Sequence, residues 1–247
     1  MDVQRIPAWA ALLLCCTGLN AADAPPKAAD KDGKPPVPAV GGRKMDNDTG
    51  EAEETGSVQV ANLVYAGVRS SVCFSDHFLR LAETDASFTT SRRFHAVKSS
   101  GPELFKFPFV IMTGEGAFSM LEEERANLRK FLEGGGFLLA SAGCSSAEWD
   151  RSFRVEIAKI LPACGLKTLP LTHRIFKTVY EIKAIKGSHG QVRLLEGVEV
   201  NGRVAVVYSA DGLNDTAHVH GCCCCGGNEI MGCAQINVNI LAYALTH

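Results

Sequence analysis

No run of lysine or arginine, and no stripe of basic residues interleaved with aromatics, occurs anywhere in the 247 residues. Lys and Arg number 25 against 27 Asp and Glu, a net charge of −2. A nucleic-acid surface needs a basic footprint, so nucleic acid is excluded as an expected partner. No internal repeat is present, which leaves one copy of one fold to be read. Two other patterns are missing. A Lys-bearing glycine loop for phosphate is absent, and so are the two separated Cys-x-x-Cys pairs of a standard zinc ribbon. No segment reaches the roughly 20 apolar residues needed to span a bilayer. What remains is 46% hydrophobic and 21% charged, the balance of a globular protein rather than a disordered one.

The N-terminus reads MDVQRIPAWAALLLCCTGLNAADAPP. Arg5, an apolar run from Ala8 to Cys16, and small residues at Ala21, Ala22 and Ala24 follow in the order of a secretory signal peptide, assigned here to residues 1–22. A lipoprotein reading, with Cys15 or Cys16 acylated, fits less well because leucines precede them. Export to the periplasm or cell envelope is the expectation. Residues 23–56 are rich in Pro, Gly, Lys and acid and lack aromatics. Such a stretch cannot bury enough apolar area to offset its ordering entropy, so it reads as a disordered tether. One α/β domain is expected over residues 57–247.

Within that domain, strand and helix signals alternate. Val58 to Tyr65 reads as a strand, and a helix follows from an N-cap at Ser75, with Phe78, Leu79 and Ala82 on one face. Phe107 to Gly114 is a continuous apolar run, the mark of a strand buried on both faces. A capping box at Ser119–Glu122 then opens a helix with a stripe of Leu121, Leu128, Phe131 and Leu132, and Gly134-Gly135-Gly136 stops it. Phe137 to Ser141 is the next buried strand, followed by a helix from about Ala147 to Leu161. Asn201-Gly202 signals a two-residue hairpin, and AQINVNILAYALTH reads as a closing amphipathic helix. The alternation implies an α/β, three-layer parallel sheet, flavodoxin-like in the broad sense, with a C-terminal hairpin and a Cys-rich loop.

Five phrases resemble one family, the bacterial domain of unknown function numbered 4159. They are FKFPFVIMTGEG, LRKFLEGGGFLLAS, THRIF at Thr172 to Phe176, GRVAVVYSADGLND and INVNILAYALTH. They occur in the family's order and cover the chain after the tether. The resemblance implies a fold similar to class I glutamine amidotransferases and brings no established activity. One departure stands out. The family's strand commonly ends Asp-Asp-Cys, whereas here it ends Ser141-Ala142-Gly143-Cys144, which removes two acids from that rim.

Cys144, just past a buried strand, is where a related amidotransferase would place a nucleophile, with His173 or His95 as the approaching base. The flanking glycines of an elbow are missing, and a small apolar residue at the sheet rim is the plainer reading. Glu122, Glu123 and Glu124 suit a solvated helix start, contributing about 0.3–1 kcal/mol each. Thr113-Gly114-Glu115-Gly116 offers backbone to a phosphate, though without a lysine. Arg92 and Arg93 read as a solvated pair and His173 as a hydrogen-bonded structural histidine.

The strongest feature is HVHGCCCCGG with Cys233 beyond it. His218, His220, Cys222, Cys223, Cys224, Cys225 and Cys233 supply imidazole and thiolate, the preferred donors for zinc, with copper as the alternative. A disulfide from the run to Cys233 or Cys164 would staple the same loop without metal. Three functions therefore stay open: an exported, non-catalytic binding or assembly module with an unidentified protein partner, a Cys144-dependent hydrolase or amidotransferase-like enzyme, and a zinc- or copper-handling protein.

Overall fold

A computed structural model describes residues 56–67, 74–216 and 229–247. The expected signal peptide (1–22), the tether up to residue 55, Cys73, and the stretch containing His218, His220 and Cys222 to Cys225 lie outside those residues.

In chain order the elements are β1 (Val58–Val64), α1 (His77–Ala86), β2 (Thr90–Lys98), β3 (Phe109–Gly114), α2 (Glu122–Glu133), β4 (Phe137–Ala142), α3 (Ala147–Ile160), β5 (Lys167–Thr168), β6 (Glu196–Val200), β7 (Arg203–Ser209) and α4 (Cys233–Thr246). They form a seven-stranded sheet in the order β2-β1-β3-β4-β7-β6-β5. The first five strands are mutually parallel, and β6 and β5 add antiparallel at the far edge. Antiparallel addition follows from the hairpin between β6 and β7. Asn201 and Gly202 both take positive φ, 53° and 80°, as the primed two-residue turn requires.

Helices α1 and α4 pack together on one face of the sheet, and α2 and α3 on the other. The central strands serve both layers. Phe109 and Ile111 of β3 join the α1/α4 core, while Val110 and Met112 join the α2/α3 core. Their continuous apolar sequence is the consequence of having no solvated face. The result is a three-layer α/β architecture, consistent with the flavodoxin-like expectation.

Several local expectations shift. Strand β2 carries Thr90, Arg92, Arg93 and Lys98 and shows no clean alternation, so its sequence hides it. It is an edge strand, and charge on an edge discourages pairing with another chain. Arg92 is not merely solvated, since it pairs with Glu83 on α1. Helix α1 starts at His77, and the Ser75 hydroxyl accepts from the His77 N–H at 3.1 Å. Helix α2 starts at Glu122, so the capping residue is Glu124, not Ser119; its Oε2 accepts from Leu121 N at 2.7 Å. Leu121 consequently falls off the apolar stripe and is exposed. Helix α4 is buried on almost every side rather than amphipathic, with ten residues from Cys233 to Tyr243 inside.

The glycine stop holds. Gly134 caps α2, and Gly135 turns the chain at φ 105°. Side chains other than glycine are strained there, so Gly135→Ala is expected to lower stability by about 1–2 kcal/mol in a denaturant titration. An unchanged midpoint would place the turn elsewhere.

Candidate functional site at the carboxyl edge of the sheet

Ligands of parallel α/β sheets gather beyond the carboxyl ends of the strands. Here that edge is formed by the turns after β1, β3, β4 and β7. Beneath it runs a buried polar layer. Ser141 Oγ donates to Asn214 Oδ1 at 2.9 Å, and the Asn214 carbonyl accepts from Ser75 N at 2.9 Å. Asn237 of α4 donates to the Leu213 carbonyl at 2.8 Å. These bonds fix the chain after β7, and with it the side chains above.

Foremost among those is Asp215, nearly buried and held at φ 56°. One carboxylate oxygen lies 2.9 Å from His77 Nδ1. The other lies 3.7 Å from the Cys233 sulfur at the start of α4. Burial pushes the Cys233 thiol well above its ordinary value, and the Asp215 and Glu229 charges add to that. Glu229 is also raised, by burial first and then by Asp215, against the lowering bonds from Thr216. Thr216 donates to Glu229 through both its N–H and its hydroxyl, each at 2.8 Å. Ile230 N donates to the Gly212 carbonyl at 2.9 Å. Residues 216 and 229, which flank the cysteine-rich stretch, are thus tied together at its base by hydrogen bonds. Cys233 and Cys164 are free thiols here, while the cysteine run to which a staple was expected lies outside the described residues.

Cys144 sits in a one-turn 3-10 segment between β4 and α3, with Cys144 and Ser145 at φ 51° and 52°. Two non-glycine residues in the left-handed region make a sharp strand-to-helix turn. The position therefore resembles an elbow in shape, although the glycines are missing. Its sulfur is disulfide-bonded, and so is neither a thiolate nor a simple apolar filler. Glu115 Oε1 lies 3.1 Å from that sulfur. The expected bases are elsewhere. His95 lies on edge strand β2 beside Phe107, with β1 and β3 intervening before β4. His173 lies tilted against the ring of Tyr243, whose hydroxyl accepts from Val204 N at the opposite, amino edge.

An anion at the turn after β3 is also disfavoured. Gly116 N donates to Ser146 Oγ at 3.1 Å and Phe118 N to Ser152 Oγ at 3.0 Å. A side chain at Gly114 would meet the Tyr65 hydroxyl, which accepts from Trp149 Nε1 at 2.6 Å. Glu124 is buried rather than solvated, accepting from Ser99 Oγ at 3.0 Å as well as from Leu121 N. Two backbone donors that a phosphate would use, Gly116 N and Phe118 N, are thus occupied. Asp211 completes the edge, 2.8 Å from Arg193 and 3.1 Å from the Ser145 hydroxyl.

The family described as a domain of unknown function, DUF4159, matches residues 63–245. The chain belongs to that family. Comparison with curated proteins gives no match. Membership in DUF4159 attaches no activity, so chemistry has to come from the residues. Among the described residues no group of three or more His, Cys, Asp or Glu side chains is gathered to hold a metal ion, and no helix is long and apolar enough to cross a membrane. Of the expected donors only Cys233 is described. The structure adds His77, Asp215 and Glu229, which sequence reasoning missed because they lie 138, 18 and 13 residues from their partners Asp215, Cys233 and Thr216, with no motif between them.

The structural reading of His173 stands. Its Nδ1 accepts from Ile175 N at 3.3 Å, capping the 3-10 turn at Arg174–Lys177. Burial holds the imidazole below its usual value; nearby Glu199 opposes this, and Arg174 and His247 reinforce it. A folded value below the unfolded one means the unfolded state binds the proton more readily. The cap's contribution is therefore complete above the ordinary histidine range, about pH 6.5, and is lost as pH falls through that range toward the folded value. His173→Asp keeps an acceptor for Ile175 N. It should show a shallower loss of melting temperature than the parent between about pH 7.5 and 5.5. Equal slopes would show that His173 stays neutral through that window.

Proposed function

We propose that this DUF4159 chain is an exported, non-catalytic binding or assembly module. Its working surface in this reading is the carboxyl edge, where the cysteine- and histidine-rich stretch is rooted. The observation behind it is the closed base. Thr216 and Glu229 are bonded to each other, and Asp215, His77 and Cys233 stand at the same base. The stretch carrying His218, His220 and Cys222 to Cys225 begins and ends in sequence at that base, which itself offers oxygen, nitrogen and sulfur donors. The donor chemistry suits zinc, or copper in its soft state. The bonded base also weakens one argument for metal, because the loop's ends are already joined without it. A disulfide staple within the stretch is accordingly the competing arrangement.

The disulfide at Cys144 suits a compartment outside the cytosol, where thiols oxidise. It also counts against the hydrolase or amidotransferase-like reading, which needs Cys144 as a thiolate with a base beside it. Among the described residues neither His95 nor His173 is placed to serve.

Native mass spectrometry of the purified chain, with elemental analysis and a free-thiol count before and after a strong chelator, tests the reading. About one zinc per chain, released by the chelator with new free thiols, is the expected outcome. Metal-free protein with the run oxidised would leave the staple alone. Metal-free protein with every cysteine of the run free would overturn both.

A further inference from the structure

Cys144 is disulfide-bonded, and elimination narrows the choice of its partner. Cys164 and Cys233 are free thiols. Cys15 and Cys16 belong to the signal peptide expected over residues 1–22. Cys73 and the run Cys222 to Cys225 remain, and both lie outside the described residues. The described residues around them differ in where they stand. Ser75 N donates to the Asn214 carbonyl at 2.9 Å, and Ser141 Oγ donates to Asn214 Oδ1 at 2.9 Å. One asparagine thus joins the chain ahead of α1 to the end of β4. Strand β4 runs toward the carboxyl edge and α1 runs back from it, because α1 connects the parallel strands β1 and β2. Counted outward along the chain from the two serines, Cys144 is three residues on and Cys73 two. A disulfide needs its Cα atoms about 4.4–6.8 Å apart, a span of about two residues.

The run Cys222 to Cys225 starts from a different place. Its flanking residues Thr216 and Glu229 are bonded to each other, and Leu213 and Ile230 beside them are buried in the α1/α4 core. Asp211 touches Ser145, yet by Asp215 the chain has been carried to His77 of α1. The turn of Cys144 opens instead into α3 on the other face, with Ser146 as its N-cap. The chain carrying Cys73 serves both faces. Gly67 N donates to Glu124 Oε1 of α2 at 3.4 Å, whereas Phe74 is buried in the α1/α4 core. Seven positions separate these two points, one on each side of the sheet. The chain that passes from the α2/α3 layer to the α1/α4 layer after β1 is therefore the one that bears Cys73.

We propose that Cys144 is cross-linked to Cys73, tying the chain before α1 to the turn after β4. The bond spans the end of β3, which lies between β1 and β4 in the sheet. In forming it, each thiol loses its proton and the pair gives up two electrons as sulfur joins sulfur. The disulfide of a thiol oxidase accepts both electrons and both protons and becomes two thiols. The pairing does not depend on whether the cysteine-rich stretch holds a metal, and it leaves Cys222 to Cys225 outside the bond. Tryptic digestion without reduction, after the native full chain is blocked with N-ethylmaleimide, is the test. Cleavage after Lys and Arg places Cys73 on residues 70–80, Cys144 on 131–151, and the run with Cys233 on 204–247. Peptide 70–80 joined to 131–151, and released by reduction, is the expected product. Peptide 131–151 joined to any other, or recovered with Cys144 blocked as a free thiol, overturns the proposal. In the variant Cys73→Ser, Cys144 should take up one maleimide. A Cys144 that stays disulfide-bonded in that variant also overturns it.

Discussion

Helix α4 is enclosed by the sheet, α1 and the 174–180 segment, and leaving a polar side chain unpaired in such a helix is costly. A buried amide without a partner costs about 1–3 kcal/mol. Asn239 meets that demand by accepting from Val179 N and Tyr180 N, at 3.0 and 2.8 Å, and donating to the Tyr180 carbonyl at 2.8 Å. It thereby fixes a stretch with little regular structure of its own. Asn237 meets it in part, donating to the Leu213 carbonyl while its buried Oδ1 has no partner among the described residues, and Cys233 reaches Asp215. One helix therefore positions both the irregular segment on its flank and the chain that forms the carboxyl edge.

Acid at that edge is managed by assigning each carboxylate a donor. Glu124 joins the start of α2 to Ser99. Glu156 is buried, which alone would raise its value, but Arg125 and Lys159 outweigh this and hold it ionised. Asp150 accepts from the Tyr208 hydroxyl at 2.6 Å and from Arg154 at 2.8 Å, and burial with that bond pushes the tyrosine far above its usual range. Paired in this way, these acids stiffen the α2/α3 side and leave little free charge for catalysis. Asp215 and Glu229 differ. They share one base with a protonated thiol and a histidine, and that contrast is why the site is placed there.

The buried strands were legible because a strand with no solvated face must be apolar throughout, as in Phe109 to Met112 and Phe137 to Ala140. The Asn-Gly hairpin and the glycine stop were legible because positive φ leaves few residue choices. Strand β2 was not, since an edge strand must carry charge and Arg92-Arg93 conceals the period. The capping residue of α2 was misplaced because two acids, Glu122 and Glu124, compete for the same signal, and only the fold shows which one meets Leu121 N. At the site, Cys233 was visible as one donor of a sequence cluster. His77 and Asp215 were invisible, because their meeting depends on α1 and the chain after β7 lying side by side over α4.

The bridge residues Glu229 and Ile230, with Met231 after them, join these observations physically. Glu229 ties the base of the cysteine-rich stretch to Thr216, Ile230 fills the α1/α4 core, and Met231 stands exposed beside Lys186. Two residues further on, Cys233 opens α4 against Asp215. Buried Ile230 anchors them, so neither the loop base nor the exposed Met231 can move without disturbing core packing. The outer surfaces are therefore presented by a fixed support.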